Sequence, residues 1–415
     1  MNVPALGLGL LISSFGALSA AQQPAEVLAV KGDLVLTMAG EPIENGLVLI
    51  EAGRIQSVGR ADELEIPAGA RVLQAAVVTP GLVDAHSVVG FSGYLNQDHD
   101  QDQLDRSEAI QPELRAIDAY NARERLVEYV REFGVTTLHT GHAPGQLVAG
   151  QTLIAKTFGE SVEEAVLVDC AMVAATLGSV EARRGRDASD KDKSPGTRSK
   201  AVALLRAELI KAAEYGRKLE AAEADKRPDR NLRLEILLRV LKGEVPLLVT
   251  ANRHHDILTA LRIAREFELR LVLDGAAECY EVLDEIRLAG VPVILHPTMA
   301  RAQGDRQNLS MATAATLRDA GIPFAIQSGF ESYVPKTRVV LLEAAVAAAN
   351  GLGREQALSA ITIDAARILG IADRVGSLEA GKDADLALYD GDPFEYESHC
   401  VGVVIDGRVV SETVR

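Results

Sequence analysis

The chain of 415 residues contains no tryptophan, and aromatic residues make up only 4% of it. Few side chains are therefore available for the stacking platforms on which single-stranded nucleic acids bind. Basic residues are also in the minority: 43 Lys and Arg stand against 59 Asp and Glu, which gives a net charge of −16. Because phosphates repel an acidic surface, this charge argues against nucleic acid and anionic membrane surfaces as partners.

Cysteine and the common catalytic motifs are also scarce. Cys170, Cys279 and Cys400 are an odd number of widely spaced cysteines with no Cys-x-x-Cys pair, so no zinc or redox motif is present. We expect buried free thiols, with one disulfide of undefined pairing as the alternative. No G-x-S-x-G elbow accompanies a plausible triad, and no GxxxxGK[ST] phosphate loop occurs. Serine-hydrolase and P-loop chemistry are therefore not indicated.

The N-terminus has the pattern of a secretory signal peptide. An apolar run from Ala5 to Leu18 precedes small residues at 19–21 and the polar Gln22. The run is too short for a comfortable membrane span, and no Lys or Arg stands ahead of it. We therefore predict a signal peptide over 1–21, an exported protein that is periplasmic or extracellular, and no membrane association after cleavage. The alternative is a buried strand or helix of the mature fold.

Both ends of the mature chain are predicted to form β-structure. Residues 22–78 alternate short apolar runs with turn signals, as in VLAVKGDLVLTM followed by GEPIENG. Residues 366–415 have the same character, for example in VGSLEAGKDADLALYDGDP followed by VVIDGRVV. In the centre of the chain, by contrast, the spacing of apolar residues changes repeatedly between about two residues, as in strands, and about 3.6 residues, as in helices.

The centre, residues 79–365, reads as alternating strands and helices. Short runs rich in Val and Leu suit a parallel sheet that is buried on both faces. The expected strands are GVTTLHTG (134–141), VPLLVTAN (245–252), LRLVLDG (269–275), VPVILHP (291–297) and IPFAIQSG (322–329). This α/β pattern predicts a (β/α)8 barrel, whose site should lie at the carboxyl ends of the strands.

A charged excursion over 181–233 interrupts this rhythm. It begins EARRGRDASDKDKSPGTRSK and continues into a long helix with apolar residues at helical spacing and interleaved charges. We expect a solvated excursion without a catalytic role. The alternative is a lid over the mouth of the barrel.

The stretch TPGLVDAHSVV (79–89), taken together with the two β-rich flanks, resembles the metal-dependent amidohydrolase superfamily and in particular its imidazolonepropionase-like branch. The resemblance implies an amidohydrolase-type (β/α)8 TIM-like barrel over 79–365. It also implies a small β-sandwich domain that residues 22–78 and 366–415 form together.

The resemblance further implies one or two divalent ions that activate water for hydrolysis of a carbon–nitrogen bond. Their ligands would come from a His-x-His on the first barrel strand, a Lys or Glu after a middle strand, and His residues ending strands five and six. An Asp ending strand eight would shuttle the proton.

This sequence departs from that pattern at four strands. Only His86 of the first His-x-His is retained, because Val88 holds the second position. Asn252 stands in the strand-five motif, Gly275 where the strand-six His is expected, and Gly329 where the strand-eight Asp is expected. The family's usual metal site is therefore not predicted, and neither is any cofactor.

Polar residues still gather at the expected strand ends. The candidate pocket residues are His86, His99, His139, His142, Asn252, Asp274, His296 and Glu331. One hypothesis is a relocated Zn or Mn site, or an acid–base site, built from His86, His139, His142 and His296. The other is a ligand pocket whose imidazoles bond to one another and to the backbone.

Three more residues are considered as possible metal ligands. His254 and His255 follow strand five, but they could already belong to the next helix. Lys156 could stand where the family carries a carboxylated lysine, and we expect it instead to be a surface residue.

Two functions from different classes follow. The first is an exported hydrolase of non-peptide C–N bonds in a cyclic amide or similar small molecule, with most metal ligands replaced. The second is a catalytically silent relative that binds a small ligand or pairs with an active amidohydrolase. The expected partners are therefore a small molecule and either a second copy of the chain or an active relative.

Overall fold

The computed structural model describes residues 27–95, 97–178, 196–221, 223, 227–330 and 339–412. The predicted signal peptide lies outside these residues, as does the charged start of the excursion up to residue 195. Within the described residues, no helix combines the length and apolar character needed to cross a membrane.

The described residues form sixteen strands. In chain order they are β1 (Leu28–Val35), β2 (Ile43–Glu51), β3 (Arg54–Arg60), β4 (Arg71–Pro80), β5 (Leu82–Ser87), β6 (Val135–Gly141), β7 (Val148–Lys156), β8 (Val166–Val168), β9 (Val173–Thr176), β10 (Leu247–Ala251), β11 (Leu271–Gly275), β12 (Val293–Leu295), β13 (Phe324–Ile326), β14 (Leu386–Tyr389), β15 (Cys400–Ile405) and β16 (Arg408–Glu412).

The described residues also form ten α-helices. They are α1 (Arg125–Arg131), α2 (Val162–Ala165), α3 (Arg198–Ala221), α4 (Leu232–Leu241), α5 (His254–Phe267), α6 (Leu283–Ala289), α7 (Thr313–Asp319), α8 (Val340–Ala347), α9 (Arg354–Ala360) and α10 (Ile363–Leu369). All five barrel strands expected from the sequence are present, and each is shorter than its predicted segment.

Both chain ends build one seven-stranded sheet in the order β16-β15-β14-β4-β1-β2-β3. Antiparallel pairing of β14 with β4 joins the C-terminal part to the N-terminal part, with Leu388 opposite Val78. Apolar residues from both parts share one core, including Val30, Val48 and Leu386. The composite sheet predicted from the two flanks is therefore confirmed.

The central strands form a nearly closed eight-stranded barrel in the order β13-β12-β11-β10-β9-β7-β6-β5. The first and last strands meet where the Gly329 amide donates to the His86 carbonyl at 3.0 Å. The predicted barrel class is thus confirmed.

One barrel strand departs from the parallel pattern. β7 runs antiparallel to both of its neighbours, β6 and β9. Only residues 142–147 connect β6 to β7, and a parallel crossover needs a dozen residues or more. The short connection therefore forces a hairpin at this place in the barrel.

The barrel interior is filled by apolar side chains from alternate strand positions. Val83, Leu248, Val272, Ile294 and Ala325 belong to one buried cluster, which α10 completes. Because side chains two apart on a strand share a face, the next inward residue of each strand lies nearer the carboxyl end. The next inward-facing residues of these strands therefore lie at the mouth of the barrel.

Helix α3 corrects the prediction for the charged excursion. Ala201, Leu205, Leu209 and Ala212 are buried in the main core of the molecule, at the spacing of one helix face. The interleaved charged residues occupy the remaining faces. The helical part of 181–233 is therefore packed into the fold rather than solvated on all sides.

Candidate functional site

A layer of polar side chains lies directly beyond the apolar interior of the barrel. Each of the strands β10 to β13 has an apolar interior residue, and two positions later a polar one follows: Thr250, Asp274, His296 and Gln327. We call these four residues the polar layer. All four are buried. Sites in such barrels form at the carboxyl ends of the strands, so the polar layer is the candidate functional site.

His86, at the end of β5, bonds to this layer. Its Nδ1 lies 2.9 Å from Oδ1 of Asp274, so the ring donates from Nδ1 and is held in one orientation. Burial opposes protonation of the imidazole, but the charge of Asp274 and this hydrogen bond raise the pKa of His86. The pair resembles the carboxylate–imidazole couple of general-base catalysis, in which the carboxylate fixes the tautomer and stabilises the imidazolium.

Two further donors hold Asp274 in place. Thr250 Oγ1 donates to Oδ2 at 2.5 Å, and Gln327 Nε2 donates to Oδ1 at 2.8 Å. Burial alone would raise the pKa of Asp274, but His86, Thr250 and Gln327 together hold the pKa below its usual value. Asp274 is therefore a charged and fully oriented carboxylate.

A second carboxylate supports the loop that follows β13. Asp84 accepts a hydrogen bond from the Ser328 amide at 2.9 Å. Burial raises the pKa of Asp84 to about 6, and the bonds from Ser328 offset part of that effect. Asp84 thus joins β5 to the end of β13 beneath His86.

His139 lies beside His86, with ring centroids 5.4 Å apart, but both of its nitrogens are used. Nδ1 donates to the Ala85 carbonyl at 2.6 Å, and Nε2 accepts from Thr152 Oγ1 at 2.7 Å. Burial, and then the neighbouring His86, lower the pKa of His139 to about 3. His139 is a neutral structural residue that joins three strands.

Four polar atoms at this end of the barrel are buried and have no hydrogen-bond partner within the described part of the chain. They are Nε2 of His86, Nε2 of His296, Oδ1 of Asn252 and Oγ1 of Thr298. His296 donates from Nδ1 to the Pro297 carbonyl at 2.8 Å, and burial lowers its pKa to about 4. Since buried polar atoms normally have partners, these four atoms suit a polar ligand.

Two glycines occupy positions where the resemblance calls for functional side chains. Gly275 has φ +74° and Gly329 has φ +69°, in the left-handed region that favours glycine. A Cβ on Gly275 would come within 2.7 Å of Asn252 Oδ1, and one on Gly329 within 2.6 Å of Pro297 Cγ. A His or Asp at these two positions would not fit the present backbone and its neighbours.

A divalent ion of the kind that the resemblance implies needs three or four donors at about 2 Å. Among the residues that the structure describes, no group of three or more His, Cys, Asp or Glu side chains could hold a metal. His86 uses one nitrogen for Asp274, and His139 uses both of its own. The described residues fit neither the family's ion nor the relocated Zn or Mn site.

The other candidate residues lie away from the polar layer. His99 is exposed on a short 3-10 turn, and His254 and His255 are in the first turn of α5, which confirms their assignment to a helix. His142 lines a separate pocket beside the barrel. Glu331 lies outside the described residues.

The expectation that Lys156 is a surface residue is wrong. Its side chain is only 3% exposed, and Nζ lies 2.9 Å from Asp383 Oδ2 and 3.1 Å from Asp385 Oδ1. It also pairs with Asp406. β7 runs antiparallel, so this end of it lies at the amino-terminal end of the barrel, opposite the polar layer. Lys156 therefore joins the barrel to the C-terminal part of the composite sheet.

Thr250, Gln327 and Thr298 were not predicted from the sequence as site residues. The periodicity of the strands could have indicated Thr250 and Gln327. Each follows an apolar interior residue by two positions, as Asp274 and His296 do. Thr298 lies in an irregular segment after β12, where no period predicts its orientation.

Comparison with known proteins agrees with this fold. The model of the amidohydrolase family Amidohydro_3 matches residues 281–411. The chain is 25% identical to the amidohydrolase TasK of Hapsidospora irregularis, in an alignment that covers 87% of this chain and 39% of TasK. It is 28% identical to an imidazolonepropionase of Thermoplasma volcanium, over 32% of this chain and 34% of that enzyme. The chain thus spans less than two thirds of either relative.

Two longer alignments extend the likeness. A 5-methylthioadenosine/S-adenosylhomocysteine deaminase of Symbiobacterium thermophilum is 24% identical, over 93% of this chain and 94% of that enzyme. The crystal structure of an amidohydrolase from Thermotoga maritima MSB8 superposes with a TM-score of 0.86, at 28% identity, over 93% of this chain and all of that one. Together with the barrel and the composite sheet, these matches establish that the chain belongs to the amidohydrolase superfamily.

Proposed function

We propose that this protein hydrolyses a carbon–nitrogen bond, other than a peptide bond, in a cyclic amide or similar small molecule, and that it does so without a metal. In this proposal the His86–Asp274 pair activates the attacking water. The observation that carries the proposal is that Asp274 fixes Nδ1 of His86, while Nε2 is buried and has no partner in the described residues.

The donor and acceptor character of the site supports a cyclic amide as the substrate. Neutral His296 presents Nε2 as an acceptor, and Asn252 presents Oδ1, so both can receive ring N–H groups. The Thr298 hydroxyl can donate to a carbonyl oxygen. Two relatives, an imidazolonepropionase and a deaminase by name, support a small nitrogen-containing ring as the substrate class.

The reaction needs one proton acceptor that later becomes a donor. Above its raised pKa, His86 is neutral, and its Nε2 removes a proton from water as the water oxygen bonds to the carbonyl carbon. Asp274 stabilises the imidazolium, and the Thr298 hydroxyl stabilises the oxyanion. The C–N bond then breaks as Nε2 returns the proton to the departing nitrogen. Water is consumed, and His86 ends the cycle neutral.

Replacement of the family's metal ligands is part of this proposal. The crowded glycines at 275 and 329 support it, because neither position can accept a ligand or a proton shuttle without displacing its neighbours. In this proposal a positioned base, rather than a metal ion, activates the water.

The test uses the full chain after exposure to zinc and manganese. It combines elemental analysis with hydrolysis assays on hydantoin, dihydrouracil and an imidazolone. We expect activity that resists a chelator, falls by about 10²-fold or more in His86→Gln and Asp274→Asn, and stays unchanged in His255→Gln on the exposed side of α5. A tightly bound ion that is lost in His86→Ala would overturn the metal-free mechanism.

The second candidate is a catalytically silent protein that binds a small ligand of the same class or pairs with an active amidohydrolase. The unpartnered atoms at the barrel mouth favour it, since they suit binding whether or not His86 acts on water. It predicts that a cyclic amide raises the melting temperature of the wild type and of Asp274→Asn alike, with no product formed in either.

Export is proposed from the N-terminal pattern alone. Expression of the full chain in a bacterium with an outer membrane, followed by fractionation and N-terminal sequencing, tests it. We expect periplasmic protein that begins after Ser19 or Ala21. Uncleaved protein in the cytoplasm would contradict export.

A further inference from the structure

A second pocket lies beside the barrel, between the loop after β5 and the hairpin of β6 and β7. Its volume is about 330 Å³. Backbone hydrogen bonds fix its walls, since Ala143 donates to the Gln103 carbonyl and Gln151 donates to the Leu114 carbonyl. The lining residues relevant to its chemistry are Asp102, Leu104, Asp105, Glu113, Leu114 and His142. None of them belongs to the polar layer.

His142 gives the pocket an unpartnered polar group. The residue is 5% exposed, and its ring approaches the Leu114 carbonyl, which leaves at least one ring nitrogen without a hydrogen-bond partner within the described residues. Its ring packs on Phe91, with centroids 6.0 Å apart. A Cβ on Gly150 would come within 2.3 Å of the ring, so the glycine makes room for it. Burial lowers the pKa of His142, which keeps the imidazole neutral.

The charges that line the pocket leave an excess of carboxylate, because four acids face one base, Arg115. Arg115 is offset by Asp118, at 3.9 Å. Glu113 is neutralised by Arg233, at 3.0 Å and 3.2 Å. Asp102 and Asp105, in contrast, have no cationic partner among the described residues. Asp105 is held by the Ser107 amide at 2.7 Å and the Ser107 hydroxyl at 2.6 Å, and these bonds lower its pKa. Asp105 therefore stays charged and oriented.

We propose that this pocket is a binding site for a small organic cation, an ammonium or guanidinium group carried on an apolar body. Asp102 and Asp105 bind the charge, His142 binds a polar group, and Leu104 and Leu114 pack on the apolar part. An anion would be repelled by the two carboxylates. A bare metal ion is not favoured, because the carboxylates and His142 do not form a group that could hold one within the described residues.

The site is independent of any reaction at the polar layer. Calorimetric titration of the full chain with benzylamine, agmatine and choline tests it, because these probes present primary ammonium, guanidinium and quaternary ammonium groups. Benzyl alcohol and benzoate are the neutral and anionic controls. We expect at least one cation to bind at least tenfold more tightly than either control.

The variants test the location. Asp105→Asn and Asp102→Asn should each weaken cation binding at least tenfold, and His142→Phe should weaken it further. Asp33→Asn, an exposed carboxylate on β1, is the matched control and should leave binding unchanged. No binding of any of the three cations would overturn the proposal, as would equal binding by the double variant Asp102→Asn/Asp105→Asn. A preference for calcium chloride over the organic cations would also overturn it.

Discussion

Two buried polar clusters lie at opposite ends of the barrel strands, and they differ in how many of their side chains have a partner at each polar end. At the amino-terminal end, Lys156 bonds to Asp383, Asp385 and Asp406. At the carboxyl end, His86 bonds to Asp274, yet its second nitrogen has no partner among the described residues. Similar burial therefore does not imply a similar role.

The lysine cluster has the character of a structural joint. Its acids and bases come from three parts of the chain, since Arg54 lies on β3, Lys156 on β7 and Arg374 just after α10. Asp383 alone pairs with all three of these bases. Charges buried in this way are costly alone but tolerated when paired. The cluster thus links the barrel to the composite sheet.

The cluster at the carboxyl end leaves several of its polar atoms without a partner in the described residues. Asp274 is bonded by three donors, but the atoms beyond it point to no protein partner in the described residues: Nε2 of His86, Nε2 of His296 and Oγ1 of Thr298. Proteins commonly give up stability at functional sites. The lysine cluster leaves Asp385 Oδ2 without a partner in the described residues, but every one of its acids is paired with a base through at least one oxygen. Several unpaired atoms at one place, more than buried charge, therefore distinguish a candidate site from a structural cluster.

Removing the lysine at the centre of the amino-terminal cluster should destabilise the protein most. Lys156→Met leaves three aspartates without their shared cation, and we expect the free energy of unfolding to fall by about 3–5 kcal/mol. Chemical denaturation of the wild type and the variant measures this. Lys211→Met is the matched control, because Lys211 forms an exposed pair with Glu208. It should cost less than about 1 kcal/mol, and an equal loss in both variants would remove the structural role assigned to Lys156.

The strands of the barrel and of the two flanks were predicted well, because they depend on hydrophobic periods that are visible in the chain. The pairing of the two flanks was implied by the family resemblance and not by those periods. The antiparallel course of β7 was not predicted, although the short link over 142–147 is the physical cause. The role of Lys156 could not be foreseen either. Its three partners lie 227 to 250 residues away, and no local pattern connects them.

The candidate site was predicted in part. His86 and Asp274 were both named from the sequence, and the structure places them 2.9 Å apart. His139 was a candidate for the pocket, but its nitrogens are bonded to Ala85 and Thr152. Sequence gives the strand end at which a residue lies, whereas hydrogen bonds depend on rotamers that only the packed barrel fixes.

Acid should destabilise the carboxyl end of the barrel through its buried neutral histidines. Burial keeps His139 neutral with a pKa of about 3, below its usual 6.5, so the unfolded chain binds a proton there that the folded chain does not. This contribution is present above pH 6.5 and is lost as the pH falls towards 3. Between pH 6 and 4, the wild type should therefore lose about 1.4 kcal/mol per pH unit more than His139→Gln.

Denaturation curves at several pH values measure that slope for both proteins. His296→Gln should reduce it in the same way, since burial lowers the pKa of His296 to about 4. Parallel pH profiles for the wild type and both variants would mean that these imidazoles are not held neutral.

The carboxyl end contains two threonines whose hydroxyls differ in hydrogen bonding, and replacing them should have the mildest consequences. Thr152 and Thr298 are both buried, but the Thr152 hydroxyl donates to His139 and accepts from the Met172 amide at 3.1 Å. Thr152→Val should therefore lower the free energy of unfolding by about 1–3 kcal/mol. Thr298→Val keeps the shape and removes a hydroxyl without a partner in the described residues, so it should change that free energy by less than about 0.5 kcal/mol or raise it. Thermal and chemical denaturation of this isosteric pair measure the difference. Equal losses would show that Thr298 is as fully bonded as Thr152, and the carboxyl end would then lose one of the atoms that mark it as a binding site.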